Sequence, residues 1–319
     1  MTASQPDPVV RTVLAERKKR GIPPFSELSV ADARRLLAEL WAPPADREPV
    51  VAVRDETVDG PGGDLPIRIY TPDGSPPFPV LVYCHGGGWV LGSLETDDGI
   101  CRALTNAANC VVVSVAYRLA PEHPFPAAVE DCYAVAERLA EIPELVDGDP
   151  DRIAVGGESA GGTVAAAVAQ LARDRGGPAL VHQVLVYAPT DRSFETASYD
   201  QNPEWLIFTK ADIEWSWDHY LESDLDDRNP YAAPLRACDR DLRGLPSATI
   251  LTCGFDVLRD EGDAYADRLA DAGVRVDHRQ YGDLVHGFIG MLDEPALPQA
   301  RDAIAAIGRD LCAAFDRTR

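Results

Sequence analysis

The sequence predicts an α/β fold: a mostly parallel central sheet flanked by helices, with a helical cap drawn from the N-terminus and from a central insertion. Three observations carry the prediction. Short apolar runs at 80–84, 110–117, 153–155, 181–187 and 248–253 suit strands buried on both faces. Helical stretches alternate with these runs, as crossovers between parallel strands require. The rhythm breaks once, at about 190–235, where Trp205, Phe208, Trp215, Trp217 and Tyr220 stand among many acidic residues.

Taken in order, residues 1–48 read as N-terminal cap helices. One helix is expected over 8–19 and a second over 29–40, with Ser29 as N-cap, Asp32 in the first turn, and Pro43 and Pro44 to stop it. Residues 50–57 and 65–70 alternate in β fashion across a Gly/Pro-rich turn at 60–63. Strands follow at 80–84 and 110–117, a helix at 127–142, a strand at 153–155 and an alanine-rich helix at 159–175. After strand 181–187 comes the insertion, then strand 248–253, a helix at about 261–272, an alternating strand at 274–281 and a closing helix at 298–315. Residues 49–319 thus form one catalytic domain, with the 190–235 insertion adding its own helices to the cap.

At 319 residues, 45% hydrophobic and 26% charged, the chain can bury a substantial core. A net charge of −22 argues against nucleic acid and against anionic membrane surfaces as partners. No apolar run approaches the roughly 20 residues needed to span a bilayer, and no signal peptide is visible at the N-terminus, so no stable membrane association is expected. The seven cysteines are scattered without C-x-x-C spacing. They read as buried thiols in a reducing compartment rather than as disulfides or metal ligands, and a cytoplasmic location is expected.

Chemistry concentrates just after predicted strands, where open parallel sheets bind ligands. Strand 153–155 runs into Gly157-Glu-Ser-Ala-Gly161, a G-x-S-x-G elbow that puts Ser159 on a sharp strand-to-helix turn. Side chains at Gly157 and Gly161 would collide with the elements the turn joins. The helix N-terminus favours negative charge developing there. After strand 80–84 comes His85-Gly86-Gly87-Gly88-Trp89, whose glycines let backbone N–H groups converge on a ligand. The alternative is a glycine-rich turn with a structural histidine. Asp256 follows strand 248–253, while its rivals Asp260 and Glu261 fall where a helix begins and suit its dipole. His286 follows the last strand, between Gly282 and Gly287. The chain order is Ser159, Asp256, His286, with the acid 97 residues past the serine and the base 30 further on.

These residues resemble the hormone-sensitive-lipase-like, bacterial family IV esterases of the α/β-hydrolase superfamily. The resemblance covers residues 80–288. It rests on His85-Gly-Gly-Gly-Trp89, Tyr117-Arg-Leu-Ala-Pro-Glu-His-Pro-Phe-Pro-Ala-Ala128, Gly157-Glu-Ser-Ala-Gly-Gly162, Asp256-Val-Leu-Arg-Asp-Glu-Gly262 and His286-Gly-Phe288. It implies a Ser159–His286–Asp256 triad, an oxyanion hole from the N–H groups of Gly87, Gly88 and Ala160, and hydrolysis of short- to medium-chain acyl esters with no metal or organic cofactor. It also implies a homodimer through the edge strand 274–281. Glu158 stands where aspartate is common and Val257 where proline is common; neither departure removes a catalytic group. Trp89, Trp205 and Phe208 are candidate lining for an apolar substrate pocket, or simply the cap's own core. The Tyr117 motif carries no evident chemistry; its prolines and Arg118 look structural. The same triad would serve an amide, lactone or carbamate, and the same fold serves as a ligand receptor where the triad is lost.

Overall fold

A computed structural model describes residues 3–201, 203, 206–223 and 226–317. Trp205, one of the expected pocket residues, lies outside the described residues. Eight strands form one sheet in the order β1-β2-β4-β3-β5-β6-β7-β8. β1 (Ala52–Gly60) and β2 (Gly63–Thr71) make an antiparallel hairpin whose register closes at Gly60↔Gly63, and β2 pairs antiparallel with β4 (Val111–Val115). The remaining neighbours are parallel: β4 with β3 (Phe78–Cys84), then β5 (Gly148–Glu158), β6 (Leu180–Val186), β7 (Ser247–Phe255) and β8 (Val276–Val285).

The continuous apolar runs have a direct cause in this arrangement. Along β3, Val80, Val82 and Cys84 pack into a core shared with α4 (Ala127–Glu141), α5 (Ala160–Arg175) and α8 (Arg259–Asp271). The intervening Leu81 and Tyr83 pack into the opposite core, with α3 (Asp98–Ala108) and α9 (Pro298–Asp316). Successive side chains of a strand point to opposite faces, so a strand covered on both sides must be apolar at every position.

The cap helices α1 (Pro8–Lys19) and α2 (Val30–Leu40) have the expected bounds, and Ser29 caps α2 by accepting the Asp32 N–H. The insertion contributes α6 (Lys210–Tyr220), opened by a capping box between Thr209 and Asp212, and short 3₁₀ turns; a four-residue helix, α7 (Asp239–Leu242), follows it. Asp212 also accepts the Ser26 N–H and hydroxyl, each at 2.9 Å, tying the N-terminal cap segment to the insertion. Two differences from expectation stand out. β5 is much longer than 153–155, because it starts at Gly148, which pairs with Phe78 of β3, and reaches the regular register at Ile153 through an irregular polar stretch. α3 was not anticipated: its inward face carries Asp98 and Thr105, which break the apolar periodicity yet are satisfied inside by Tyr70 and Arg102 and by the Cys101 carbonyl.

Candidate active site

The strand registers assemble the site. Cys84 pairs with Gly157, Glu158 with Val186, and Phe255 with Val285. The residues that follow these pairs, His85, Ser159, Tyr187, Asp256 and His286, therefore emerge side by side at the carboxyl edge of the sheet. Ser159 has φ 51° and ψ −128°, a conformation that costs a non-glycine residue on the order of 1–3 kcal/mol and needs surrounding structure to hold it. Two things hold it. The Ser159 N–H donates to the Val186 carbonyl at 2.8 Å. The glycines on either side permit contact that no side chain would: a Cβ on Gly157 would lie 2.4 Å from the Cys84 carbonyl oxygen, and one on Gly161 only 2.0 Å from the same atom. The collisions are chiefly with the end of β3, which the turn does not join; only a side chain on Gly157 would also meet the helix that follows, at Gly161.

Ser159 Oγ lies 2.8 Å from His286 Nε2, and His286 Nδ1 lies 2.8 Å from Asp256 Oδ2. All three are buried, Ser159 being 8% exposed at the floor of the cleft. The second Asp256 oxygen, Oδ1, accepts the Leu258 N–H at 3.0 Å, so both carboxylate oxygens have fixed partners. The Tyr187 ring stands 4.4 Å from the His286 ring and that of Phe208 stands 5.1 Å away, edge to face. The imidazole is thus confined between a carboxylate, two aromatic rings and the serine. Such a set can move a proton from hydroxyl to imidazole and hold the resulting cation. Asp260 and Glu261, the rival acids, are engaged elsewhere. Asp260 accepts the Ser198 N–H and the Arg259 guanidinium; Glu261 accepts from Thr190 and Tyr199.

Beside the serine, the 85–89 loop runs through three consecutive positive-φ residues: Gly87 (112°), Gly88 (60°) and Trp89 (61°). Such backbone turns successive N–H groups inward. The N–H groups of Gly87, Gly88 and Ala160 have no hydrogen-bond partner among the described residues, leaving them free for a negatively charged oxygen. The Tyr117 segment braces this loop: the Tyr117 hydroxyl donates to the His85 carbonyl at 2.8 Å, its ring stacks on His85 at 4.2 Å, and the Ala120 N–H donates to the Trp89 carbonyl. Arg118, paired with Asp131 at 2.8 Å, anchors the brace to α4.

The α/β hydrolase fold family matches residues 81–290, about two thirds of the chain. The chain belongs to that family. Several of its relatives are named as esterases. It is 47% identical over 247 residues to the carboxylic ester hydrolase LipN of Mycobacterium tuberculosis, a match spanning 76% of this chain and 65% of that protein. It is 41% identical over 284 residues to the carboxylesterase NlhH of the same species, spanning 88% of this chain and 89% of that one. The crystal structure of a thermostable esterase from Pseudomonas putida ECU1011 superposes with a TM-score of 0.93 at 35% identity, covering 99% of both chains.

In this α/β hydrolase the residue before the nucleophile has a role that the elbow motif does not announce. The Glu158 carboxyl turns under the oxyanion loop, where its Oε1 occupies the space a Cβ on Gly86 would need, 1.4 Å from that position. With the carboxyl in this position only glycine fits there, and the Gly86 N–H donates to Asp97 at 3.4 Å. Asp97, at the N-terminus of α3, also accepts the Tyr83 hydroxyl at 3.0 Å. Burial first, and then repulsion from Asp97, drives the Glu158 carboxyl well above the usual carboxylate range. Burial also raises Asp97, against the pull of His85 and Tyr83, and keeps His85 below its ordinary value. Asp97 and Tyr187 escaped the sequence reading because neither lies in a recognisable motif; α3 and the end of β6 deliver them.

Residues of both the N-terminal segment and the insertion line the space beside the serine. Phe25, Leu37 and Trp41 from the N-terminal segment, and Phe208, Ile213 and Trp215 from the insertion, line a cavity of about 50 Å³ next to Ser159 and His286. Phe208 lines the pocket, stacked on Phe25 at 5.5 Å. Trp89 does not. It is 1% exposed, and its positive φ turns the indole away from the cleft to stack on Tyr220 at 4.2 Å and meet Trp217 at 4.5 Å. Trp89 joins the oxyanion loop to the base of the insertion, which is packing rather than substrate contact. Among the described residues no helix is long and apolar enough to cross a membrane.

Proposed function

We propose that the protein is a serine carboxylesterase that hydrolyses short- to medium-chain acyl esters. The observation that carries this reading is the unbroken Ser159 Oγ–His286–Asp256 relay, each link 2.8 Å, beside three N–H groups that have no partner among the described residues. Ser159 Oγ attacks the ester carbonyl as its proton passes to His286 Nε2. Asp256 stabilises the imidazolium through Nδ1. The N–H groups of Gly87, Gly88 and Ala160 receive the oxyanion, each donor being worth about 10² to 10³ in rate. His286 then protonates the departing alkoxide, leaving an acyl-enzyme. Water, deprotonated by the same imidazole, releases the acid and restores the serine. The small cavity at Ser159 supports short acyl groups, and the names of the relatives support esters as the acyl class.

The test is a series of p-nitrophenyl esters of increasing acyl length, run with one anilide and one lactone. Turnover of the short esters that Ser159→Ala abolishes is expected; turnover of the anilide or lactone alone would replace the ester reading. A cytoplasmic setting fits the seven free thiols, five of them buried. A homodimer through β8 fits a strand whose outer edge, among the described residues, is covered at Gly282 and Asp283 by Ala3 and Asp7. A monomeric mass in solution would remove that proposal.

A further inference from the structure

The catalytic cavity adjoins a second and larger one. It measures about 470 Å³ and lies among α1, the end of α2, the start of α3 and the loop after His286. Its apolar lining includes Val13, Ile22, Leu40, Ile207, Met291 and Leu292, with charged side chains such as Arg17 and Asp293 completing it. The two cavities have five lining residues in common: Trp41, Thr96, Ile100, Gly287 and Gly290. Two of these are glycines and one is a threonine, so Trp41 and Ile100 supply the bulk of the partition, and the indole is the larger of the two.

The setting of Trp41 suits a partition. α2 ends at this residue, whose N–H donates to the Leu37 carbonyl at 2.9 Å, and Pro43 and Pro44 turn the chain away. The indole lies across the post-histidine loop. Its Cζ2 is 3.8 Å from the position a Cβ would take on Gly287, and its Nε1 is 3.5 Å from that position on Gly290. Phe208, the ring against His286, meets it at 6.3 Å from the other side. The indole is half-buried, supported by two glycines that offer no side chain to replace it. On one side lies a space of about 50 Å³ at the nucleophile; on the other lies nearly ten times that volume, lined by apolar side chains and, in part, by charged ones.

We propose that Trp41 sets the acyl-length limit of the enzyme, and that the cavity behind it takes the alkyl end of longer acyl chains once the indole is reduced. This rests on the carboxylesterase reading. Trp41 reaches no reacting atom; it acts by shape. Each methylene newly taken into an apolar cavity is worth roughly fourfold in binding, so several methylenes amount to a large change in preference.

The experiment compares kcat/KM for p-nitrophenyl butyrate and decanoate in the wild type, Trp41→Ala, Trp41→Leu and Trp41→Ala/Val13→Trp. The decanoate-to-butyrate ratio is expected to rise by on the order of tenfold or more in Trp41→Ala, and by less in Trp41→Leu. It is expected to fall back when Val13→Trp refills the second cavity from its far side. Labelling of Ser159 by a fluorophosphonate reports that each variant is folded, and where Trp41→Ala does not label, Trp41→Leu decides. A ratio that is unchanged or lowered, or one that Val13→Trp fails to reverse, overturns the proposal. If the wild type turns over neither ester while still taking the label, the carboxylesterase reading has failed and the proposal falls with it.

Discussion

Asp256→Asn removes one oxygen from a carboxylate whose two oxygens both have fixed partners, and its consequence can be worked out atom by atom. The Leu258 N–H can only donate, and it needs the oxygen now at Oδ1, 3.0 Å away. The asparagine oxygen is drawn there, so its NH₂ faces His286 Nδ1, where Oδ2 now sits at 2.8 Å. Nδ1 must then accept, and the imidazole proton moves to Nε2, the atom facing Ser159 Oγ. A protonated Nε2 cannot take the serine proton. The opposite amide orientation leaves the Leu258 N–H facing an NH₂, an unmet buried donor costing about 1–3 kcal/mol, and still gives the imidazolium no anion. The expected loss in kcat is about 10⁴-fold, or roughly 5.5 kcal/mol of transition-state stabilisation. The assay is steady-state and single-turnover hydrolysis of p-nitrophenyl butyrate, with Asp260→Asn alongside. Asp260 serves Ser198 and Arg259, so its variant should stay within about tenfold of wild type. Near-normal turnover by Asp256→Asn together with a crippled Asp260→Asn would refute the reasoning and move the acid.

Two further outcomes follow from carboxyls held above their usual range. Glu158→Ala removes the group beneath Gly86 and should lower kcat about 10- to 100-fold with little change in KM, because the oxyanion N–H groups lose their support. Glu158→Gln keeps an acceptor and should recover most of it; equal loss in both would mean that the negative charge, not the support, is what matters. Burial pushes Glu261 up to about 8, against the N–H groups of Thr190 and Asp191 and the Tyr199 hydroxyl. The folded protein therefore keeps a proton that the unfolded chain gives up near 4.5. The stability this contributes is complete below that value and is lost as pH rises through about 8, at up to ~1.4 kcal/mol per pH unit. Glu261→Gln should remove that slope in denaturant unfolding measured between about pH 5.5 and 8. A stability difference between wild type and variant that does not change with pH would contradict it.

The parts of the fold visible in the sequence are those in which one local rule decides the outcome. Strands covered on both faces must be apolar throughout, so β3, β4, β6 and β7 announce themselves. Chemistry in such sheets sits past the strand ends, which marks Ser159, Asp256 and His286. The glycines of the elbow are legible because their reason is steric and local. What stays hidden depends on partners distant in sequence. α3 escapes because Asp98, fully buried, faces inward, where Tyr70, Arg47, Arg68 and Arg102 satisfy it. Trp89 misleads because its direction is set by a positive φ that composition does not reveal. Glu158 reads as a minor departure until Gly86, some seventy residues earlier, is seen to leave room for its carboxyl. Trp41 has no motif at all; only the space on either side of it shows what it separates.

The central claim is that Ser159 is the nucleophile, and covalent trapping tests it most directly. A fluorophosphonate reacts only with a serine activated by its base, so the intact mass of the wild-type protein should rise by a single adduct, mapped by peptide sequencing to Ser159. The Ser159→Ala protein should gain none, and His286→Ala should react far more slowly. An adduct that maps to another residue, or that persists in Ser159→Ala, would contradict the account.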